Sequence, residues 1–210
     1  MAGSDERLRE RLLDAALHLF AEHGRDGVSL REIALEAGAT HGSIRHHFGT
    51  KDNLYISALM RIRSMDLLVD DGANDRPGSV AEGEAALKEM VSAFLDFQAR
   101  IGSDHVAALG LIRAEVARDG GPDPVFYERI IRPGHEKLKL ILQSIRPDIE
   151  DDETLEILAF NIIFQCVMVR IGRGIVLKRL RKRTLNRKDR DRIAYLIIET
   201  TLCGLRTLEA

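Results

Sequence analysis

The chain has 210 residues, of which 45% are hydrophobic and 30% are charged. This composition is typical of an ordinary globular protein that is long enough to bury a sizeable core. The net charge of −2 excludes a simple polybasic protein, although it leaves local basic patches open. A charged N-terminus, two cysteines without metal-ligand spacing and the lack of eighteen consecutive uncharged apolar residues predict a cytoplasmic protein with no membrane partner.

Helical periodicity runs through nearly every apolar segment, so the expected fold class is all-α. A first helix ends at Gly24, and its apolar stripe consists of Leu8, Leu12, Ala15, Ala16, Leu19 and Phe20. A second long helix is predicted over 50–71, and the following "DGANDRPGS" is the best candidate for a domain boundary. Further helices are predicted over about 80–101, 103–118, 124–145, 153–180 and 188–208.

Between the first two of these helices, residues 29–48 predict a helix-turn-helix. Ser29 and Glu32 have the Ser-x-x-Glu spacing of a capping box. An Ala-x-x-x-Gly spacing that ends at Gly38 predicts a close helix crossing followed by a left-handed turn. Residues 40–47 then form the predicted recognition helix.

This region carries no acidic residue between Glu36 and Asp52, although it has three histidines, an arginine and a lysine. A recognition helix lies against DNA phosphates, which repel carboxylates and are attracted by a helix N-terminus. Gly42 would allow the backbone to approach DNA closely, and Lys51 suits a nearby phosphate. These residues favour a DNA-binding face.

The same histidines suggest a metal site as an alternative. His41, His46 and His47 make a weak set, because adjacent histidines point to different sides of a helix. No carboxylate or cysteine is expected to complete the set of ligands. We therefore expect no metal ion and no cofactor.

The segment "LLDAALHLFAEHGRDGVSLREIALEAGATHGSIRHHFGTKDNLYISAL" resembles the N-terminal domain of TetR-type transcriptional regulators without a gap. Shared features are the Ala-Ala-Leu-x-Leu-Phe first helix, the Gly before the capping Ser, the Ile-Ala-x-x-Ala-Gly turn and the His-Phe-x-x-Lys exit. The resemblance implies a homodimer whose recognition helices enter successive major grooves of a palindromic operator. Such regulators usually repress transcription.

The resemblance also implies roles for single residues. Arg31 would meet a phosphate or a base edge. Four residues would line the base-reading end of the recognition helix: Thr40, His41, Gly42 and Ser43. Three would hold phosphates: His46, His47 and Lys51, although a local helix-end hydrogen bond is an alternative for His47. Arg45 stands where the family usually has Tyr, and its guanidinium suits either guanine or phosphate.

The C-terminal half is similar to the ligand-binding domain of the CecR-like branch of this family. The similarity lies in "IRAEVARDGGPDPVFYERIIRPGHEKLKLIL", "AFNIIFQCVMVRIGR" and "LCGLRTL". It implies a regulatory domain, so we predict a helix-turn-helix domain over 5–65 and a ligand-binding and dimerisation domain over 80–210. The helices near 153–180 and 188–208 are apolar nearly all round, which suits a four-helix interface between two copies or, alternatively, an intrachain core.

A ligand pocket is expected among the central helices, for a small, mostly apolar effector. Candidate lining residues, each of which would equally suit plain core, are Phe94, Phe97, Arg113, Phe126, Tyr127, Phe164, Gln165 and Met168. Arg113 would suit an anionic group of the effector. Glu115, two residues later, is part of a buried pair, lines a pocket or lies at a solvated helix edge.

A basic run over 173–192 has ten Lys and Arg against two Asp. It suits contact with DNA or with an anionic membrane, or simply a solvated helix end and loop.

The sequence therefore predicts a homodimeric, ligand-responsive repressor that binds operator DNA. One rival is a small all-α enzyme using the central cavity, but no paired nucleophile and base is present. Another rival is a dimeric interaction protein that has lost DNA binding. Arg45, which replaces the usual Tyr of the family, leaves this second rival open.

Overall fold

The computed structural model of the protein describes the backbone of residues 2–63, 76–100 and 106–208. It describes the side chains of residues 4–61, 76–96 and 110–208. Within these ranges the regular structure is helical, without a strand, which confirms the all-α class. The helices are α1 (Ala2–His23), α2 (Leu30–Glu36), α3 (His41–Phe48), α4 (Lys51–Arg63), α5 (Val80–Arg100), α6 (Val106–Val116), α7 (Pro124–Phe126), α8 (Arg132–Ile145), α9 (Asp152–Ile171), α10 (Arg173–Leu180) and α11 (Arg187–Thr207).

Most predicted helices are present, with small shifts at their ends. A π-helical turn over Tyr127–Ile131 joins α7 to α8. The predicted helix 124–145 is therefore helical along its whole length. The predicted helix 50–71 corresponds to α4 as far as Arg63. The rest of it lies outside the described residues.

The predicted helix 153–180 is two helices, because the chain turns at Gly172. The backbone there leaves the helical region (φ −82°, ψ 9°) while the Gly172 N–H still donates to the Met168 carbonyl at 2.8 Å. A Cβ at this position would lie 2.8 Å from the same carbonyl oxygen. A glycine is therefore needed for the break between α9 and α10.

The basic run occupies α10, the following loop and the start of α11. No residue of α10 is buried. Two of its cations have acidic partners, since Lys182 pairs with Asp189, and Arg190 lies 3.1 Å from Asp96. The basic run thus lies on a solvent-exposed helix end and loop. Contact of these residues with DNA or with an anionic membrane stays a prediction.

The chain divides into two compact units, residues 1–67 with 101–132 and residues 68–100 with 133–210. The predicted domains, 5–65 and 80–210, place the segment 101–132 differently, in the second domain. Close packing explains the difference, because a Cβ on Gly110 of α6 would lie only 3.0 Å from the Ala21 Cβ of α1.

The core of the first unit contains the predicted apolar stripe of α1. Four of its members are buried: Leu12, Ala15, Ala16 and Phe20. Leu8 and Leu19 are partly buried against this core, which also includes Leu111 of α6 and Phe126 of α7. The first unit is therefore larger than a bare helix-turn-helix domain.

The core of the second unit is formed by α5, α8, α9 and α11, with Leu87, Leu142, Leu155 and Leu202 among its buried residues. Its edge carries a charged cluster, in which Lys139 Nζ lies 2.6 Å from Asp152 and 3.0 Å from Glu156. The hydrogen bond to Asp152 raises the pKa of Lys139 above its ordinary value. This cluster links α8 to α9.

The outer side of α9 is unusually apolar for an exposed helix surface. Five large side chains on it are about half exposed: Ile157, Phe160, Phe164, Met168 and Ile171. By length and composition α9 is apolar enough to cross a membrane, with a mean hydropathy of 1.7 and 22% of that stretch buried. The helix does not contain eighteen consecutive uncharged apolar residues, so the sequence criterion did not select it although its mean hydropathy is high. We call these five residues the α9 apolar face.

Candidate nucleic-acid interface

The first helix of the helix-turn-helix, α2, begins with the predicted capping box. The Ser29 hydroxyl accepts from the Glu32 N–H at 3.2 Å, and the Glu32 carboxylate accepts from the Ser29 N–H at 2.7 Å. This backbone hydrogen bond from Ser29 lowers the pKa of Glu32. The carboxylate is therefore ionised and held at the helix start, where the helix dipole also favours it.

The turn between α2 and α3 has the predicted geometry. Gly38 has a φ of +60°, in the left-handed region that favours glycine. The Ala39 N–H donates to the Ala34 carbonyl at 2.8 Å. Ala34 and Ile44 are both buried, so they fix the crossing of the two helices.

The recognition helix α3 is capped by Thr40, as predicted. The Thr40 hydroxyl accepts from the Ser43 N–H at 3.2 Å and lies 2.9 Å from the Ser43 hydroxyl. Ile44 and Phe48 are buried, and they anchor one side of α3 to the core. Its opposite side therefore remains free for a ligand.

The structure places the nine predicted DNA-contacting residues on α2, α3 and the first turn of α4. Six of them are exposed: Arg31, Thr40, His41, Gly42, Arg45 and His46. Three are less exposed: Ser43, Lys51 and His47, whose side chain is only 7% exposed. The exposed side of α3 carries no carboxylate, and the first acid after it, Asp52, pairs with Arg25 at 2.8 Å.

His47 has a partner that the sequence did not suggest. Its Nε2 lies 3.4 Å from Asp5 Oδ1 in the first turn of α1. The prediction that no carboxylate completes the histidine set is therefore wrong. Asp5 comes from more than forty residues earlier in the chain, and only the packing of α1 brings it beside α3.

A buried polar pair connects α4 to α6 behind this interface. The Tyr55 hydroxyl donates to Glu115 Oε1 at 2.9 Å, and the Asp123 N–H donates to Glu115 Oε2 at 2.8 Å. Tyr55 is fully buried and Glu115 is 2% exposed. The interpretation of Glu115 as a solvated helix edge is therefore wrong, and its buried partner is Tyr55, which the sequence did not suggest.

Two arginines surround this pair. Arg25 lies 2.7 Å from Asp123 and packs over the Tyr55 ring, with its Cζ 5.5 Å from the ring centroid. Arg118 lies 3.7 Å from Glu115 and 3.2 Å from Asp26. The carboxylates thus have cationic neighbours, which offsets the cost of their burial.

The Tyr55→Phe variant should lower the free energy of unfolding by about 1–3 kcal/mol, since it leaves a buried carboxylate without one of its donors. Burial, and then the hydrogen bond to Glu115, raise the pKa of Tyr55 above its ordinary value. The stabilisation should therefore be complete below the unfolded-state pKa of about 10 and be lost only as pH rises through the higher folded-state value.

Urea denaturation at pH 7 measures this change. Tyr127→Phe is the matched control, because Tyr127 belongs to the same unit and is 44% exposed. Equal stability of the Tyr55→Phe variant and the wild type would contradict the role of the pair.

The predicted ligand-binding residues belong to both units of the chain. Arg113, Phe126 and Tyr127 belong to the first unit, where Phe126 is core and the other two are exposed. The second unit holds Phe94, which is buried, and three exposed residues, Phe164, Gln165 and Met168. The side chain of Phe97 lies outside the described residues.

A small apolar cavity of about 10 Å³ lies in the second unit. It is lined by Met90, Val91, Phe94, Leu138, Ile162, Ile163 and Cys166. Burial raises the pKa of Cys166 to about 12, so its thiol is neutral at physiological pH. The cavity has room for about one water molecule, and a larger ligand would have to separate the surrounding helices.

Two family models match the chain. Residues 12–58 match that of the bacterial regulatory proteins of the tetR family. Residues 84–208 match that of the C-terminal domain of the HTH-type transcriptional dual regulator CecR. The second match alone covers more than half of the 210 residues.

Curated relatives are transcription regulators. The HTH-type transcriptional repressor AcnR of Corynebacterium glutamicum is 33% identical over 123 residues, which are 59% of this chain and 56% of AcnR. The HTH-type transcriptional regulator PksA of Bacillus subtilis is 34% identical over 86 residues, 41% of this chain and 38% of PksA. The matches thus span about half of AcnR and less of PksA. Both are named as regulators and not as enzymes.

Solved structures with a similar fold cover nearly the whole chain. HlyIIR, a hemolysin II transcriptional regulator, has a TM-score of 0.61 at 20% identity, over 93% of this chain and 97% of its own. The flavonoid-responsive regulator FrrA has a TM-score of 0.59 at 22% identity, over 95% and 97%. These likenesses support the fold. The two family models cover both the helix-turn-helix and most of the C-terminal half. They show that the chain belongs to the TetR family of bacterial regulatory proteins, with a C-terminal domain of the CecR type.

Proposed function

We propose that this chain is a cytoplasmic, DNA-binding transcription regulator, a homodimeric repressor that binds a palindromic operator and is released by a small, mostly apolar effector. The observation that carries this proposal is the exposed side of α3, whose own residues include no carboxylate, on a well-capped helix-turn-helix. DNA phosphates would repel carboxylates on such a surface. The name of AcnR, a repressor, supports repression over activation.

DNA contact would use two kinds of group. The N-terminal turn of α3 presents Thr40, His41 and Gly42 together with the partial positive charge of the helix end. Arg45, one turn later and exposed, would reach either a guanine edge in a bidentate pair or a phosphate. The first group would bring the N-terminal turn of α3 to the base edges, and Arg45 would add a contact to a base or to a phosphate.

Dimerisation would bury the α9 apolar face. Its members recur at spacings of three and four residues, so they lie on one side of the helix. On α11, Tyr195 and Leu196 are also at least half exposed. Full burial of each large apolar side chain contributes about 1.5–3 kcal/mol, which favours a stable interface between two copies over exposure to water.

The effector would enter the second unit at the cavity beside Phe94. The apolar lining and the neutral Cys166 thiol favour an apolar molecule, and the small volume requires α5, α8 and α9 to move apart. FrrA is by its name responsive to a flavonoid. An effector of that general kind, small and mostly apolar, would match the apolar lining once the helices had moved apart.

Release would follow from a preference of the effector for one state of the dimer. In that state the two recognition helices no longer match the spacing of the operator, so effector binding would favour release from DNA.

Selection of bound sequences from a random duplex library, at two salt concentrations, tests the proposal. We expect a palindromic consensus, because the two α3 helices of a dimer are related by two-fold symmetry. Affinity should fall as salt rises, since phosphate contacts release counterions. Enrichment of no sequence by a folded dimer would overturn DNA binding and favour the dimeric interaction protein.

A further inference from the structure

Three potential metal ligands meet where the first turn of α1 passes the end of α3. They are Asp5, His46 and His47, whose ligand atoms all lie within 4.8 Å of one another. We propose that this cluster binds a divalent transition-metal ion such as Zn²⁺. All three ligands belong to one compact unit of the chain. Two of them, His46 and His47, are also predicted phosphate contacts. Metal binding is measured without DNA, so a failure of this site and a failure of DNA binding are distinguishable.

The spacing of the ligand atoms suits a tetrahedral ion. Bonds of about 2.0–2.1 Å to nitrogen and oxygen separate neighbouring ligand atoms by roughly 3.3 Å in a tetrahedron. His47 Nε2 and Asp5 Oδ1 are already 3.4 Å apart. His46 is exposed, so rotation of its side chain can bring its ring nitrogen to the same distance.

His47 is the fixed member of the cluster. Its side chain is only 7% exposed, and its ring packs 6.0 Å from that of the buried Phe48. The His46 ring meets it edge to face at 5.1 Å. Because these contacts hold the imidazoles near each other, less ordering is needed when an ion binds.

The chemistry of the donors selects the class of ion. Two imidazole nitrogens and one carboxylate oxygen suit zinc, copper and nickel, whereas magnesium and calcium prefer oxygen ligands alone. Three protein ligands leave a fourth position for water or another ligand, as in open zinc sites. Arg9, one turn after Asp5, lies within 3.6 Å of Glu6 and within 3.5 Å of Glu10, so nearby acids offset its charge.

Calorimetric titration of the untagged, full-length chain with zinc chloride tests the site. We expect one ion per chain for the wild type and for the His41→Gln control, whose exposed imidazole lies on the same helix outside the cluster. His46→Gln and Asp5→Asn should each weaken binding at least about tenfold, since even the loss of a group that only supports a metal ligand costs 10–100-fold.

Equal affinity in all four proteins, or no saturable binding by the wild type, would overturn the site. A loss confined to His46→Gln, with Asp5→Asn unchanged, would also overturn the three-ligand arrangement. All three substituted residues are exposed, so the variants should fold like the wild type. Circular dichroism checks this point.

Discussion

Operator affinity of the Gly42→Trp variant is expected to fall at least about 100-fold, a loss of about 2.7 kcal/mol. Gly42 lies in the first turn of α3, which would enter the major groove, and an indole there would hold the backbone away from the bases. Direct readout needs side chains within hydrogen-bonding distance of base edges. The variant would thus lose base contacts and part of its phosphate contacts together.

The fold should tolerate this change. A Cβ at Gly42 meets only the Thr40 hydroxyl, at an ordinary contact distance of 3.7 Å. Gly174→Trp is the matched control, because a Cβ at Gly174 meets no atom within 4 Å and α10 has no buried residue. Fluorescence anisotropy with the selected operator gives both affinities. Unchanged operator affinity of the Gly42→Trp variant would show that α3 does not enter the major groove.

Phe164→Glu should raise the dissociation constant of the dimer at least about 1,000-fold, which corresponds to about 4.1 kcal/mol. In a two-fold interface each substitution occurs twice, so two carboxylates would be buried at once. An unpaired charge in an apolar interface costs several kcal/mol. Since Phe164 is 47% exposed in the single chain, the variant should still fold as a monomer.

Sedimentation velocity at micromolar protein concentration distinguishes the two states. Val80→Glu is the matched control, because Val80 is 48% exposed at the start of α5, in the same unit but outside the α9 apolar face. The control should remain dimeric. A dimeric Phe164→Glu protein would show that α9 does not form the interface, and would leave its apolar face unexplained.

The helix-turn-helix could be read from the sequence because its determinants are local. The capping box joins residues three apart, and Gly38 adopts a backbone conformation that few other residues tolerate. Ile44 and Ala34 lie within one short segment. Such features act between neighbours in the chain, so their pattern is visible without knowledge of the tertiary packing.

The ligand-binding residues were much less predictable. An aromatic residue in an apolar helix suits a cavity, a core or an interface equally well, and the sequence does not distinguish these. In the structure Phe126 is fully buried, whereas Phe164 is about half exposed. Which side of each helix meets a neighbour is decided by packing. The cavity beside Phe94 depends on α5 packing against α8 and α9, which lie more than thirty residues later in the chain.

The sequence by itself determined the helical class, the helix-turn-helix and the family, since capping, periodicity and motif spacing operate over a few turns of chain. Only the tertiary structure decided that α6 packs against α1, that Glu115 meets Tyr55 across 60 residues, and that Asp5 meets His47. Pairings over such separations depend on how whole helices cross, and many side chains jointly set those crossings. No short pattern in the chain records them.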